Sequence, residues 1–222
     1  VDESGDTDTF TVVLDAQPDS NVVVAISVSD SSETSVNSPL TFTSANWDTA
    51  QVVTVTGVDD DIIDGTINST ITVTIVDAIS DDQFDAVADQ TVSVSTTDDD
   101  VAGFTVSETQ GSTEVDESGT TDIITVVLNA QPASDVVMAI SSSDASETAV
   151  NGSTANNNSL TFTSANWDTP QSFTVTGVDD DLVDGTVNSI LTISVVDALS
   201  DNGFDDVAAV SYTHLRAHET SE

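Results

Sequence analysis

The stretch DTFTVVLDAQPDSNVVVAISVSD, Asp8–Asp30, decides the fold. Phe10, Val12 and Leu14 alternate with Thr11, Val13 and Asp15, a period of two that sends successive side chains to opposite faces of a strand. Ala16–Pro18 interrupt it, and Val22, Val24, Ile26 and Val28 then resume the alternation. The pattern returns at Leu40 with Phe42, Val53 with Val55, Ile71 with Val73 and Ile75, and Val92 with Val94. Outward positions are mostly Thr and Ser, which suit a solvated β surface. No window has a helical period. Six or seven short strands separated by turn signals predict an all-β, antiparallel immunoglobulin-like sandwich.

Working outward, the same stretch occurs twice. TVVLDAQP from Thr11 returns as TVVLNAQP from Thr125, and VDESG at Val1 returns at Val115, both 114 residues later. LTFTSANWDT at Leu40 and TVTGVDDD at Thr54 return 120 residues later, at Leu160 and Thr174. The six extra residues fall in the Asn- and Ser-rich stretch 151–159, where a surface loop tolerates insertion. A period above a hundred residues means tandem domains rather than a solenoid. The expected division is repeat 1 over residues 1–100, repeat 2 over 101–209, and a tail over 210–222. AGFTVSETQGST (Ala102–Thr113) reads as the opening strand of repeat 2, and repeat 1 has no counterpart, so the chain is expected to begin inside a domain. Similarity between the copies stops after Ala208, so repeat 2 is expected to lack its last strand. The tail resembles translated adapter or vector sequence and is set aside from function, a native C-terminal cap being the alternative.

Charge narrows the function. The chain has 40 acidic residues against one Arg and no Lys, a formal net charge of −39. Arg216, His214 and His218 all lie in the tail, so Val1–Tyr212 holds no cationic or imidazole side chain. Such a chain cannot neutralise phosphates, which excludes nucleic acid and anionic membrane surfaces as partners. With no Cys there is no disulfide framework. No transmembrane run is visible, so direct membrane insertion is not expected. Enzyme chemistry is not expected either: there is no native His, no nucleophile motif and only 5% aromatic residues to wall a cleft around paired carboxylates.

Antiparallel connectivity sends the acids to one place. Following each strand from end to end brings Glu3, Asp30, Asp59–Asp64 and Asp98–Asp100 to the same end of the sandwich. Two carboxylates about 4 Å apart repel by roughly 4 kcal/mol at an effective dielectric near 20. Protonation or a bound cation relieves this, and an all-carboxylate cage without His or Cys suits a hard ion such as Ca²⁺. Solvated acidic loops of a salt-adapted protein remain the other reading. Neither an EF-hand nor a glycine-rich nonapeptide is present.

Three motifs carry a family resemblance: VDESG at Val1, GVDDDIIDG at Gly57, and DDDVAGF at Asp98–Phe104. Together they resemble Calx-beta domains, the calcium-binding sandwiches of sodium–calcium exchangers and of many bacterial surface proteins. The resemblance spans nearly all of Val1–Ala208. It implies Ca²⁺ ligands at Glu3, Asp30, Asp60, Asp64, Asp98, Asp99 and Asp100, and in repeat 2 at Glu117, Asp144, Asp180 and Asp184. Repeat 2 lacks the closing triad, so its site is expected to be weak.

Other residues read as architecture. Trp47 and Trp167, at the same phase of NWDT, are expected to be packing anchors, as are Phe84 and Phe204. Asp77, Asp81, Asp82 and Asp85 read as a solvated loop at the opposite end. The function expected is a calcium-stiffened structural or adhesive segment of an extracellular or cell-surface protein. Its partners would be calcium ions and neighbouring repeats, with only Val101 and Ala102 between the Asp98–Asp100 run and the next strand. A glycan or cell-surface protein ligand is the competing expectation.

Overall fold

The computed structural model describes residues 1–152, 158–179 and 185–217. Compactness divides the chain into two units, Val1–Asp60 with Asp64–Asp99, and Asp61–Ile63 with Asp100–Glu222. Both are β-sandwiches whose strands pair antiparallel, apart from one parallel pairing in the second unit. Among the described residues the only helical elements are short 3₁₀ turns, and no helix is long and apolar enough to cross a membrane.

The first unit contains β1 (Thr7–Val12), β2 (Val22–Val28), β3 (Thr34–Val36), β4 (Leu40–Phe42), β5 (Gln51–Gly57), β6 (Ile67–Ile75) and β7 (Gln90–Thr96). One sheet has the order β1-β5-β3 and the other β4-β2-β6-β7. The inward residues of the alternation meet between them. Val22, Val24, Ile26, Leu40, Phe42, Val53, Val55 and Ile71 are all buried, each burial stabilising by about 1.5–3 kcal/mol. Their outward neighbours are largely the Thr and Ser of the sequence pattern.

The second unit contains β8 (Phe104–Glu108), β9 (Glu114–Asp116), β10 (Thr121–Leu128), β11 (Val136–Ser142), β12 (Thr148–Gly152), β13 (Ser159–Phe162), β14 (Gln171–Gly177), β15 (Asn188–Val195) and β16 (Val210–Ala217). Its sheets have the orders β12-β14-β10-β8 and β13-β11-β15-β16-β9. Val210–Ala217 falls in the tail that the sequence reading set aside. The structure pairs it with β15 at the register β7 takes beside β6, so that Asn188↔Leu215 corresponds to Asn68↔Ser95. An open antiparallel edge is satisfied by any extended segment, and Tyr212 packs against the core from there.

The end opposite the acidic run is built from capped turns. Asp81 is buried rather than solvated, its carboxylate accepting from the backbone N–H of Asp19 at 2.7 Å, Ser20 at 2.9 Å and Gln83 at 3.0 Å. Those bonds to the ionised form hold its pKa below the usual carboxylate value. Asp201 repeats the arrangement with Ser134 and Gly203. The Leu14 and Leu128 N–H groups donate to the Trp47 and Trp167 carbonyls, and the Trp167 ring packs on the second core.

Candidate metal centre

Four segments meet at the end of the first unit where β7 finishes. The arm before β1 lies parallel to the chain leaving β7: Asp2 bridges Thr97, and the Glu3 N–H donates to the Thr97 carbonyl at 3.1 Å. Gly57, closing β5, makes room for it. A Cβ at Gly57 would stand 2.0 Å from the Asp2 carbonyl oxygen, a distance no real side chain tolerates. Pinned this way, the Glu3 side chain is 1% exposed.

The turn between β2 and β3 supplies the second segment. Asp30 folds back locally, its Oδ1 accepting from the Ser32 N–H at 3.1 Å and the Ser32 hydroxyl at 2.5 Å. Glu33 follows as β3 begins and is 5% exposed. The third segment is the acidic turn after β5, which Gly65 completes at a positive φ of 75°. There the N–H groups of Asp64 and Gly65 donate to Asp98 Oδ2 at 3.0 and 2.8 Å. Asp98 and Asp99 form the fourth, and the Asp99 N–H reaches Glu3 Oε1 at 3.4 Å.

One carboxylate trio results within the first unit: Glu3, Glu33 and Asp64 offer oxygens within 4.8 Å of one another. The titration behaviour reflects the crowding. Burial raises the Glu3 pKa to about 7, and the charges of Asp98 and Asp60 add to the effect. Burial likewise raises Glu33, reinforced by Asp64, Asp60, Asp30 and Asp98, and raises Asp64, reinforced by Asp60, Asp98 and Asp30. Asp30 moves the other way, stabilised as an anion by Ser32. Crowded carboxylates that resist ionisation bind protons when no cation is present, and exchange them for a cation when one arrives. Oxygen donors alone, several of them anionic, match the preference of Ca²⁺ for about six to eight oxygens.

Of the sequence-selected residues, Glu3 and Asp64 lie in the trio, Asp98 accepts from the Asp64 and Gly65 amides beside it, and Asp100 begins the second unit. Asp30 and Asp60 act on the trio through charge. Asp99 contributes its backbone N–H, while its side chain is exposed. In the second unit Glu117 is buried, and Asp144 folds onto Ser146 as Asp30 does onto Ser32. Asp180 and Asp184 lie outside the described residues. At the 120-residue offset, Asp98–Asp100 correspond to His218, Glu219 and Thr220, also outside them.

Glu33 was missed by the sequence reading, together with its buried counterpart Glu147. A signal was present: SETSV at Ser32 and SETAV at Ser146 repeat at the 114-residue offset, with the acid in the same place.

No family model matches the chain, and no curated protein matches it. Among solved structures, the chain is similar to the calcium-binding domain CBD12 of CALX1.1, with 16% identity, 85% of this chain and 73% of that chain covered, and a TM-score of 0.34. It is also similar to the apo form of the Calx CBD1 domain, with 16% identity, 53% and 98% covered, and a TM-score of 0.36. A third similar structure is domains 1–6 of the surface layer protein SbsC, with 12% identity, 89% and 20% covered, and a TM-score of 0.41.

Proposed function

We propose that this chain is a calcium-binding structural or adhesive segment of a secreted or cell-surface protein, its first sandwich holding Ca²⁺ at the end where β7 finishes. The observation that carries the reading is the carboxylate trio around buried Glu3, in a chain with no Lys, Arg or His before residue 214. With no cationic side chain among those residues, protonation or a cation from solution relieves the repulsion, and a hard cation suits the oxygen donors.

Glu3, Glu33, Asp64 and Asp98 would hold the ion, with Asp30 and Asp60 adding negative potential. Calcium supplies positive charge that removes the repulsion among these oxygens. The residues do the rest: the arm fixed on Gly57 keeps Glu3 in place, and the turn amides of Asp64 and Gly65 orient Asp98. The Asp98–Asp100 run is separated by only two residues from Gly103 and β8, so ordering it shortens the free linker to the next repeat. That is the proposed route from ion binding to a stiffened array. Sites of this kind in extracellular modules work at calcium concentrations of roughly 10⁻⁴–10⁻³ M, which fits a location outside the cell.

The test is thermal unfolding of the chain in CaCl₂, MgCl₂ and KCl at matched ionic strength, with hydrogen exchange to locate the change. Calcium at a hundred times its Kd should stabilise the first unit by about 2.7 kcal/mol and the second far less. An equal gain from KCl would identify a salt-adapted spacer instead. Small-angle scattering with and without calcium then checks the stiffening, and an unchanged maximum dimension would rule it out.

A further inference from the structure

We propose that each sandwich carries a seat for one buried water molecule, on the hydroxyl of Ser69 in the first unit and of Ser189 in the second. The inward row of β6 is Ile67, Ser69, Ile71, Val73 and Ile75, and that of β15 is Ser189, Leu191, Ile193 and Val195. One alcohol thus interrupts each aliphatic row, at positions 120 residues apart. Ser69 is 3% exposed and Ser189 0%, and neither hydroxyl meets a hydrogen-bond partner among the described residues. Burial strips such a hydroxyl of the water it holds in the unfolded chain, and folded proteins nearly always give back a partner, either a protein group or an ordered water.

Each Ser shares its level of the core with other buried alcohols. In the first unit Thr34 and Thr96 bond to each other at 2.9 Å, and Thr96 Oγ1 donates to the Glu33 carbonyl at 3.4 Å. Because Thr96 gives its proton to that carbonyl, Thr34 is the donor to Thr96, and the lone pairs of Thr34 Oγ1 receive no donor among the described residues. β6 and β7 pair Ile67↔Thr96 and Ser69↔Val94, so Ser69 and Thr96 face the same way as diagonal neighbours. Diagonal positions are about 7–8 Å apart, too far for two short hydroxyls to touch and close enough for one water to link them.

The second unit rebuilds this level from different strands. Thr148, the counterpart of Thr34, is fully buried and bonds at 2.7 Å to Ser142 of β11, whereas Thr34 bonds to Thr96 of β7. The counterpart of Ser142 is Val28, and that of Thr96 is Arg216. The alcohol that partners the Thr therefore changes strand between the two cores, while the Ser of β6 and β15 stays. A water supplies two donors and two acceptors and is held by two to four polar partners, which a group of three alcohols provides. An apolar occupant would leave the Ser hydroxyl unmet, and so few oxygens without a carboxylate do not suit Ca²⁺. In the first unit the water joins Ser69 to the Thr34–Thr96 pair and through Thr96 to the Glu33 carbonyl, steadying the backbone from which the Glu33 carboxylate enters its trio.

Oxygen-17 magnetic relaxation dispersion on the whole protein counts the internal waters that exchange more slowly than the molecule tumbles. The wild type should show at least two, and Ser69→Val and Ser189→Val, whose methyl groups fill the seats, should each remove one. Ser69→Ala should lower the melting temperature of the first unit by about 4–8 °C, the effect of one net hydrogen bond in a domain of this size. A hydroxyl buried with no partner at all predicts the opposite sign, since its removal is then a gain. Ser69→Ala that melts at or above the wild-type temperature would therefore overturn the proposal. So would an unchanged count in folded Ser69→Val protein, or fewer than two slow waters in the wild type, a measurement that requires no variant to fold.

Discussion

Acidification should act in opposite directions on the calcium-free and calcium-bound protein. Glu3 has an ordinary carboxyl pKa of 4.5 and is raised to about 7 by burial and by Asp98 and Asp60. Because the folded-state value exceeds the unfolded one, the bound proton's stabilisation is complete below about pH 4.5 and is lost as pH rises through about 7. The gap of 2.5 between those values, at about 1.4 kcal/mol per pH unit, is worth about 3 kcal/mol. Glu33 and Asp64 shift in the same direction and add to it. Metal-free protein should therefore gain stability from pH 8 to pH 5. Calcium reverses the sign of the dependence, because it must displace the proton to bind. One site with a pKa near 7 releases about 0.8 proton per ion at pH 6.5 and about 0.1 at pH 8. Calorimetric titration in two buffers of different ionisation heat measures this number directly, and urea melts give the stability limb. Glu3→Gln should abolish most of the release at pH 6.5. Identical proton release at the two pH values, or metal-free protein that weakens on going from pH 8 to pH 5, would refute the reasoning.

Three further outcomes test separate parts of the architecture. Gly57→Ala forces the Asp2 carbonyl away from a 2.0 Å contact and carries Glu3 with it, so calcium affinity should fall at least tenfold by titration calorimetry while most of the strand pattern survives in circular dichroism. Glu33→Gln keeps the shape of β3 but removes one charge from the trio; it should weaken calcium binding and raise the melting temperature of the metal-free protein. Asp81→Ala leaves the Asp19, Ser20 and Gln83 amides without their shared carboxylate acceptor and should lower the midpoint of urea denaturation at pH 7. Since the Asp81 pKa is depressed, that loss should shrink as pH falls through its folded-state value.

The strands legible in the sequence were those whose inward residues are hydrocarbon. Phe10, Val12 and Leu14 announce β1, and Val22, Val24 and Ile26 announce β2, because apolar burial imposes a period of two. β3 was not legible. Its inward residues are Val36, a single apolar position, and Thr34, fully buried with a 2.9 Å hydrogen bond between its hydroxyl and that of Thr96, too little hydrocarbon to show a period of two. Glu33 was lost with it, since an acid beside an unrecognised strand reads as one more loop carboxylate. β16 was passed over for a different reason: its sequence departs from the repeat, yet β15 offers it the same unsatisfied backbone edge that β6 offers β7.

What the sequence determined alone is the repetition, the sandwich and the electrostatic problem. Alternation and turn residues act locally, and the missing cations are a matter of counting. Which acids share a point was decided only by tertiary structure. Glu3, Glu33, Asp64 and Asp98 come from four segments, the outermost of which are separated by 95 residues, and they meet because strand registers and the Gly57 contact bring them there. Asp59 and Asp61 are equally acidic but lie outside the trio. Burial and mutual repulsion, which push a carboxylate's pKa up, depend on distance in space rather than on position in the chain.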